Sequence, residues 1–319
     1  MGVTPYFRRY LMIEYYFKKD KESAFAPIAL LQEGCWIHVD EATSADLDYI
    51  CHLTNLEYTD LQDSLDKYEI PRIEKLNHYL LIFARHPIEL DIAVGLYTAT
   101  LTILLTPSYF ITISPQKNSL IHSFIAKKNN LSTAQGAHLL IHLFLKISQD
   151  FASQIRRVRH NVVIREKEIV NVESEEITTL TRHEEILNQY FANLEPTGVV
   201  LAAIASGKYT NLYEEEQELL QDLLLNIKQS EDLCSISIKS IRSVRDSYQI
   251  IFTNNLHKTI KLLTGLTIIL NIPTMIASIY GMNIELPFAR GEHAFGLILI
   301  SIFISSIIAL ILFRRKRWL

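Results

Sequence analysis

One apolar stretch near the end of the chain decides the fold: residues 262–283 read LLTGLTIILNIPTMIASIYGMN. The stretch is long enough to cross a bilayer, which takes about 20 mostly apolar residues in a helix. Polar side chains recur inside it at steps of three and four residues, so a helix places them all on one side. These residues, which we call the polar column, are Thr264, Thr267, Asn271, Thr274 and Ser278.

A second apolar run, residues 294–313, predicts a second membrane helix. Residues 284–293 join the two runs and form a predicted external loop. Lys258 and Lys261 precede the first run, and four consecutive basic residues open the tail 314–319. Because basic residues concentrate on the cytoplasmic side of membrane helices, we expect a hairpin with both termini of the chain in the cytoplasm.

Composition excludes several classes of function. The chain has 319 residues, of which 49% are hydrophobic and 21% charged, with a formal net charge of -4. An acidic balance without a basic patch argues against nucleic acid as a partner. The sequence contains no nucleotide-binding glycine motif, and no nucleophile–base constellation stands out. We therefore expect a protein that is not an enzyme and needs no cofactor.

Glycine and proline residues, which interrupt helices and strands, divide the rest of the chain into segments. Residues 1–130 mix strand and helix patterns and predict a cytoplasmic α/β domain. Residues 131–207 predict a helical hairpin region, with breaks near Pro196–Gly198 and at Gly207. Residues 208–261 contain neither glycine nor proline and predict a long stalk helix that continues into the first membrane helix. The expected fold class is an α+β domain, long stalk helices and a C-terminal two-helix transmembrane hairpin.

The polar column has two interpretations. Small and hydroxyl residues join membrane helices to one another, and a threonine can bond its own backbone. Alternatively the column lines an ion pathway, which would give Asn271 partners that lipid does not offer. One helix cannot enclose a pore, so the second interpretation requires a symmetric ring of chains.

The residues around the end of the first span resemble the CorA family of magnesium transport proteins. The resemblance rests on Tyr280-Gly281-Met282-Asn283 directly after a span, on residues 273–278 upstream and on the closing residues 315–319. Asp63, eight residues before Pro71-Arg72-Ile73-Glu74, and the long breaker-free helix extend it along the chain.

The resemblance implies a homopentameric funnel in a lipid bilayer. Five copies of the first span would ring a pore, and Gly281, Met282 and Asn283 would form its selectivity filter. Amide oxygens can hydrogen-bond the tightly held waters of Mg²⁺ without stripping them. Apolar Ile260 and Leu263 would be a constriction that gates by dewetting.

The resemblance also implies regulation by the transported ion. Asp63 and Asp222 would face each other between subunits and hold Mg²⁺, which would make Mg²⁺ both substrate and regulatory ligand. Passive uptake through the cell (inner) membrane would follow the membrane potential. In the external loop, Glu285 and Glu292 would attract cations.

Two departures from the family pattern keep other substrates open. Arg290 offsets part of the acidic charge in the loop, and Asn271 stands where relatives commonly carry an apolar residue. The alternatives are transport of Co²⁺ or Ni²⁺, a zinc transporter of the same superfamily, and a membrane-tethered scaffold that conducts nothing.

Overall fold

The chain forms two compact units in the computed structural model. The structure describes residues 13–18, 25–76, 78–91, 95–127, 131–167, 174–209, 212–283 and 293–316. The first unit comprises Met1–Ile169 and Thr178–Ser243, and the second comprises Val170–Ile177 and Val244–Leu319.

A mixed seven-stranded sheet forms the base of the first unit, in the order β2-β1-β3-β7-β6-β5-β4. Strands β3 and β7 pair in parallel and every other pairing in this order is antiparallel. The strands are β1 (Ile13–Phe17), β2 (Ala26–Pro27), β3 (Trp36–Val39), β4 (Arg72–Leu76), β5 (Tyr79–Asp91), β6 (Leu96–Leu105) and β7 (Phe110–Ile113).

Short helices cover one face of this sheet. They are α1 (Ser44–Thr54) and α2 (Tyr58–Leu61), and a 3-10 turn (Gln62–Leu65) follows α2. Thr43 caps α1 by accepting from the backbone N–H of Asp46, whose carboxylate accepts from the N–H of Thr43 in return. Leu47 and Ile50 of α1 then pack in one hydrophobic cluster with residues of β3, β5, β6 and β7.

The other face of the sheet is aromatic. Trp36 is fully buried and meets the rings of Phe25, Phe110 and Phe124 edge-on, at centroid distances of 5.4, 5.6 and 5.9 Å. Phe124 belongs to α3 (Ser119–Ala126). His38 shares this face, and its burial lowers its pKa to about 4, so the ring is neutral at neutral pH.

Long helices complete the first unit: α4 (Gly136–Lys167), α5 (Ser174–Ala205) and the beginning of α6 (Glu214–Tyr280). Leu223, Ile227 and Ile241 are buried along one stripe of α6. The Cys234 thiol donates to the Leu187 carbonyl at 3.0 Å, and Arg242 Nε lies 2.6 Å from Glu184 Oε1. Both contacts fasten α6 to α5.

The predicted break near Pro196–Gly198 is wrong, because α5 continues through Pro196 to Ala205. Proline removes one backbone donor from the helix, yet Leu194 and Leu201 are fully buried on either side. A Cβ at Gly198 would lie 3.7 Å from Ile227 of α6, so the two helices approach closely there. Tertiary packing therefore overrides the local preference. The predicted break at Gly207 is confirmed, since this residue has a positive φ after α5 ends.

The second unit contains the rest of α6 and a final helix, α7 (Ala294–Arg315). Helix α6 is 67 residues long and passes from the stalk sequence into the apolar stretch without interruption. The α+β domain, the long helices and the C-terminal pair of apolar helices confirm the predicted fold class.

A buried arginine pins the loop between α2 and β4. The Arg85 guanidinium donates to the carbonyls of Lys67 (2.8 Å), Glu69 (2.9 Å) and Thr98 (2.7 Å), and to the hydroxyls of Thr98 and Thr100. Burial lowers its pKa to about 10, so it stays charged at neutral pH.

We predict that Arg85→Met lowers the free energy of unfolding by about 3 kcal/mol, because a hydrogen-bonded buried charge is lost and its acceptors are left unpaired. Denaturant unfolding of the full chain in detergent measures the change. Lys75→Met, at an exposed position of β4, is the matched control and should change stability by less than about 0.5 kcal/mol. Equal effects of the two substitutions would contradict the role given to Arg85.

Candidate ion pathway and regulatory site

Two helices of the second unit have the length and composition of membrane spans. They are the apolar end of α6 and residues Phe295–Arg315 of α7. Neither apolar segment is covered as a core helix would be, since most of its side chains are exposed. Arg314 and Arg315 close α7 with basic charge.

The polar column lies on an exposed side of α6. All five of its side chains are exposed in the chain, whereas Gly265 is buried and Ile269, Ile272 and Ile276 are half-buried. At about 100° of rotation per residue, these covered residues fall on roughly the opposite side of the helix. The chain therefore covers one face of the span with its own residues and leaves the polar face open.

Threonines of the column use their own helix as a hydrogen-bond acceptor. Thr267 Oγ1 donates to the Leu263 carbonyl at 2.8 Å, and Thr274 Oγ1 donates to the Leu270 carbonyl at 3.2 Å. Each hydroxyl oxygen keeps lone pairs that point away from the backbone. The column thus presents acceptors, which suit the hydrogens of metal-bound water.

Asn271 differs from the threonines. Its amide is exposed, and within the described part of the chain it has no hydrogen-bond partner. An amide in the middle of a membrane helix requires a partner from water, an ion or another chain. Hydrogen bonds from hydroxyls to the backbone of their own helix therefore account for Thr267 and Thr274 but not for Asn271.

The predicted filter begins where α6 ends. The Gly281 N–H donates to the Ala277 carbonyl at 2.9 Å and the Met282 N–H to the Ile279 carbonyl at 3.2 Å. A Cβ at Gly281 would lie 3.3 Å from the Ala277 oxygen, which favours glycine at this last turn. Met282 and Asn283 are exposed beyond it. Glu285, Arg290 and Glu292 lie outside the described residues.

The two residues predicted to form an apolar constriction, Ile260 and Leu263, continue the exposed side of α6. Ile260 is 50% exposed and Leu263 is 62% exposed. Both precede the column by less than two turns of helix. Aliphatic side chains at such positions are covered by lipid or by another chain, or they line a narrow dry passage.

In the first unit, Asp63 lies in an acidic cluster around one arginine. Arg72 Nη2 donates to Asp63 Oδ2 at 2.8 Å, Arg72 Nε donates to Glu74 at 2.7 Å, and Arg72 also pairs with Glu69. Burial alone would lower the pKa of Arg72, but the hydrogen bonds to Glu74, Glu69 and Asp63 raise it above its ordinary value. Three carboxylates share one guanidinium, so the cluster keeps an excess of negative charge.

Asp222 is exposed on α6 in the same unit. Among the described residues, no hydrogen bond or ion pair joins Asp222 to Asp63. Sequence reasoning missed the ion pair between Asp63 and Arg72. Whether the side chains of Asp63 and Arg72 meet depends on the backbone conformation of the residues between them. The number of residues between them does not reveal that conformation.

Known proteins are similar to nearly the whole length of this chain. Residues 32–315 match the family model described as CorA-like Mg²⁺ transporter protein. The cobalt/magnesium transport protein CorA of Methanocaldococcus jannaschii is 24% identical over 292 residues, covering 89% of this chain and 91% of the relative. The protein of the same name from Thermotoga maritima is 21% identical over 274 residues, covering 81% and 76%.

Solved structures share the fold. The complete structure of the CorA magnesium transporter from Methanocaldococcus jannaschii superposes with a TM-score of 0.72 at 21% identity, covering 97% of this chain and 99% of the other. Full-length CmaX gives a TM-score of 0.70 at 16% identity, covering 97% and 98%. With the family model spanning nearly the whole sequence, the chain belongs to the CorA-like Mg²⁺ transporter family, whose members are membrane transporters of divalent cations and not enzymes.

Proposed function

We propose that the protein carries Mg²⁺ passively into the cell through a pore lined by α6 from five copies of the chain. The observation that carries this proposal is the exposed polar column, opposite the covered side of α6 and leading to Asn283. In a symmetric ring, the column would face the axis, and the covered side would face away from it.

The chemistry of the column suits a hydrated magnesium ion. Mg²⁺ prefers six oxygen ligands and gives up its waters reluctantly. Hydroxyl and amide oxygens accept hydrogen bonds from those waters, so the ion keeps its inner shell while it moves. Gly281, Met282 and Asn283 would form the outer filter, and Glu285 and Glu292 would concentrate cations before it.

The membrane potential supplies the driving force. Moving one charge through 100 mV changes the free energy by about 2.3 kcal/mol, so a divalent ion gains roughly twice that on entering a negative interior. Basic residues flank the hairpin at Lys258, Lys261 and Arg314–Lys316, which supports cytoplasmic termini in the inner membrane. No ATP-binding element is required.

Cytoplasmic Mg²⁺ would close the pore by binding between Asp63 of one subunit and Asp222 of its neighbour. Facing carboxylates repel one another unless a cation lies between them. The negative excess around Arg72 strengthens the attraction of a divalent ion to Asp63. Because Asp222 and the polar column lie on one continuous helix, loss of the ion would act on the helix that lines the pore, where Ile260 and Leu263 form the gate.

Other cations remain candidate substrates. The relatives from Methanocaldococcus jannaschii and Thermotoga maritima are named for cobalt as well as magnesium. Uptake into proteoliposomes across Mg²⁺, Co²⁺, Ni²⁺ and Zn²⁺ distinguishes these substrates, and uptake of none would favour a non-conducting scaffold.

We predict that Asn283→Ala lowers Mg²⁺ uptake into proteoliposomes by about tenfold or more. A hydrogen bond to a charged group contributes about 1.5–3 kcal/mol, and about 1.4 kcal/mol corresponds to a factor of ten. Asn254→Ala, an exposed position of α6 away from the side of the column, is the control and should leave uptake unchanged. Wild-type uptake by Asn283→Ala would remove Asn283 from the filter.

We predict that combining Asp63→Ala with Asp222→Ala raises the internal Mg²⁺ concentration needed for half-inhibition by about tenfold or more, because the ion loses both carboxylates. Uptake at graded internal Mg²⁺ measures the shift. The combination of Asp48→Ala and Asp232→Ala removes the same charge at exposed sites and should leave inhibition as it was. If inhibition persists at wild-type Mg²⁺ concentrations without Asp63 and Asp222, the regulatory pair lies elsewhere.

A further inference from the structure

Three potential metal ligands converge at the edge of the α/β domain. Asp40 follows β3 directly, His38 is the third residue of that strand, and His122 lies in the first turn of α3. One ligand atom from each lies within 4.8 Å of the other two. The sequence separates His122 from Asp40 by 82 positions, so only the folded sheet brings them together.

The parallel pairing of β3 with β7 aims His38 into this cluster. His38 pairs with Thr112 in the register, and its Nδ1 lies 2.9 Å from Thr112 Oγ1, which also accepts from Trp36 Nε1 at 2.8 Å. The side chain of His38 is 0% exposed. Its Nε2 is buried, has no hydrogen-bond partner and lies 3.9 Å from Asp40 Oδ1. Buried polar atoms without a partner are rare and require an explanation.

Helix α3 fixes the other two ligands. The Asn118 N–H donates to Asp40 Oδ1 at 2.8 Å, and the Asn118 side chain accepts from the Ile121 N–H at 3.1 Å as the cap of α3. His122 Nε2 lies 3.0 Å from Asp40 Oδ2, and its side chain is 39% exposed. The cluster therefore has a rigid buried side and one ligand that is accessible from solvent.

We propose that His38 Nε2, His122 Nε2 and the Asp40 carboxylate bind one divalent transition-metal ion of the Zn²⁺, Co²⁺ or Ni²⁺ class. Two imidazoles and one carboxylate suit these ions, whereas Mg²⁺ prefers oxygen ligands alone. Thr112 Oγ1 would hold the other nitrogen of His38, as partners in the outer shell of a metal-bound histidine do. Water would complete a tetrahedral shell.

The ligand atoms lie close enough together for one ion, after some rotation of the side chains. Tetrahedral bonds of about 2.0–2.2 Å place ligand atoms roughly 3.3 Å apart. His122 Nε2 lies 3.0 Å from Asp40 Oδ2, and His38 Nε2 lies 3.9 Å from Asp40 Oδ1, the other oxygen of the same carboxylate. All three ligand atoms lie within 4.8 Å of one another, so rotation of the side chains would bring one carboxylate oxygen and both nitrogens around one ion. His122 Nε2 would exchange its hydrogen bond to Asp40 for a bond to the ion, with the ring hydrogen on Nδ1. The proposal does not depend on the pore or on the pair Asp63 and Asp222.

Spectroscopy and dialysis of the full chain in detergent test the site. The protein is stripped with chelator, kept in excess Mg²⁺ to fill oxygen-only sites, and titrated with Co²⁺ and Zn²⁺. Asp40→Asn keeps an acceptor for the Asn118 N–H, and His122→Gln changes a partly exposed ring. The matched control is His138→Gln, since His138 and His142 are a neighbouring histidine pair (ring centroids 4.7 Å apart) outside the cluster.

We expect wild type and His138→Gln to bind one more Zn²⁺ per chain than either variant, with visible Co²⁺ bands of tetrahedral type and a raised melting temperature on Zn²⁺ addition. Asp40→Asn and His122→Gln should lose the Co²⁺ bands and bind Zn²⁺ at least about tenfold more weakly. Wild-type stoichiometry and spectra in His122→Gln would overturn the proposal, and this variant decides the outcome if Asp40→Asn does not fold.

Discussion

Each polar group in a membrane helix needs a hydrogen-bond partner other than lipid. In the polar column of α6, this chain does not supply all of these partners itself. Hydrocarbon offers no hydrogen bonds. Thr267 and Thr274 of the column bond their own backbone, but Asn271 stays exposed while the opposite side of the helix is covered. The polar face therefore requires water, ions or further copies of the chain, and a ring of helices around a wet axis provides all three.

The regulation proposed for the first unit depends on a different constraint, the rigidity of the segment around Asp63. Arg85 holds the loop between α2 and β4 through the carbonyls of Lys67 and Glu69, and Arg72 holds Asp63 against the same loop. A carboxylate fixed in this way would lose little conformational freedom on binding the proposed regulatory ion, which favours such binding. The shared guanidinium also reduces the repulsion among the three carboxylates when no ion is present.

Local periodicity made the membrane hairpin and the long helix predictable from the sequence. Steps of three and four residues between Thr264 and Ser278 need no tertiary information to define a face. The wrong prediction of a break at Pro196 shows that local sequence is not always enough. Burial of Leu194 and Leu201 keeps α5 continuous through the proline. The pairing of Asp63 with Arg72 and the approach of His122 to Asp40 depend on loop conformation and sheet register, which no single-sequence pattern encodes.

Ligand type offers a way to distinguish ions within one protein. The polar column and the proposed regulatory pair, Asp63 and Asp222, offer only oxygen atoms as ligands, which suits hydrated Mg²⁺. The cluster of His38, Asp40 and His122 presents nitrogen, for which Zn²⁺, Co²⁺ and Ni²⁺ have far higher affinity. In the presence of abundant Mg²⁺, the cluster with the two histidines would therefore still bind a transition metal. The sites made only of oxygen ligands would bind Mg²⁺. Two cation classes would then bind to one protein without competing for the same ligands.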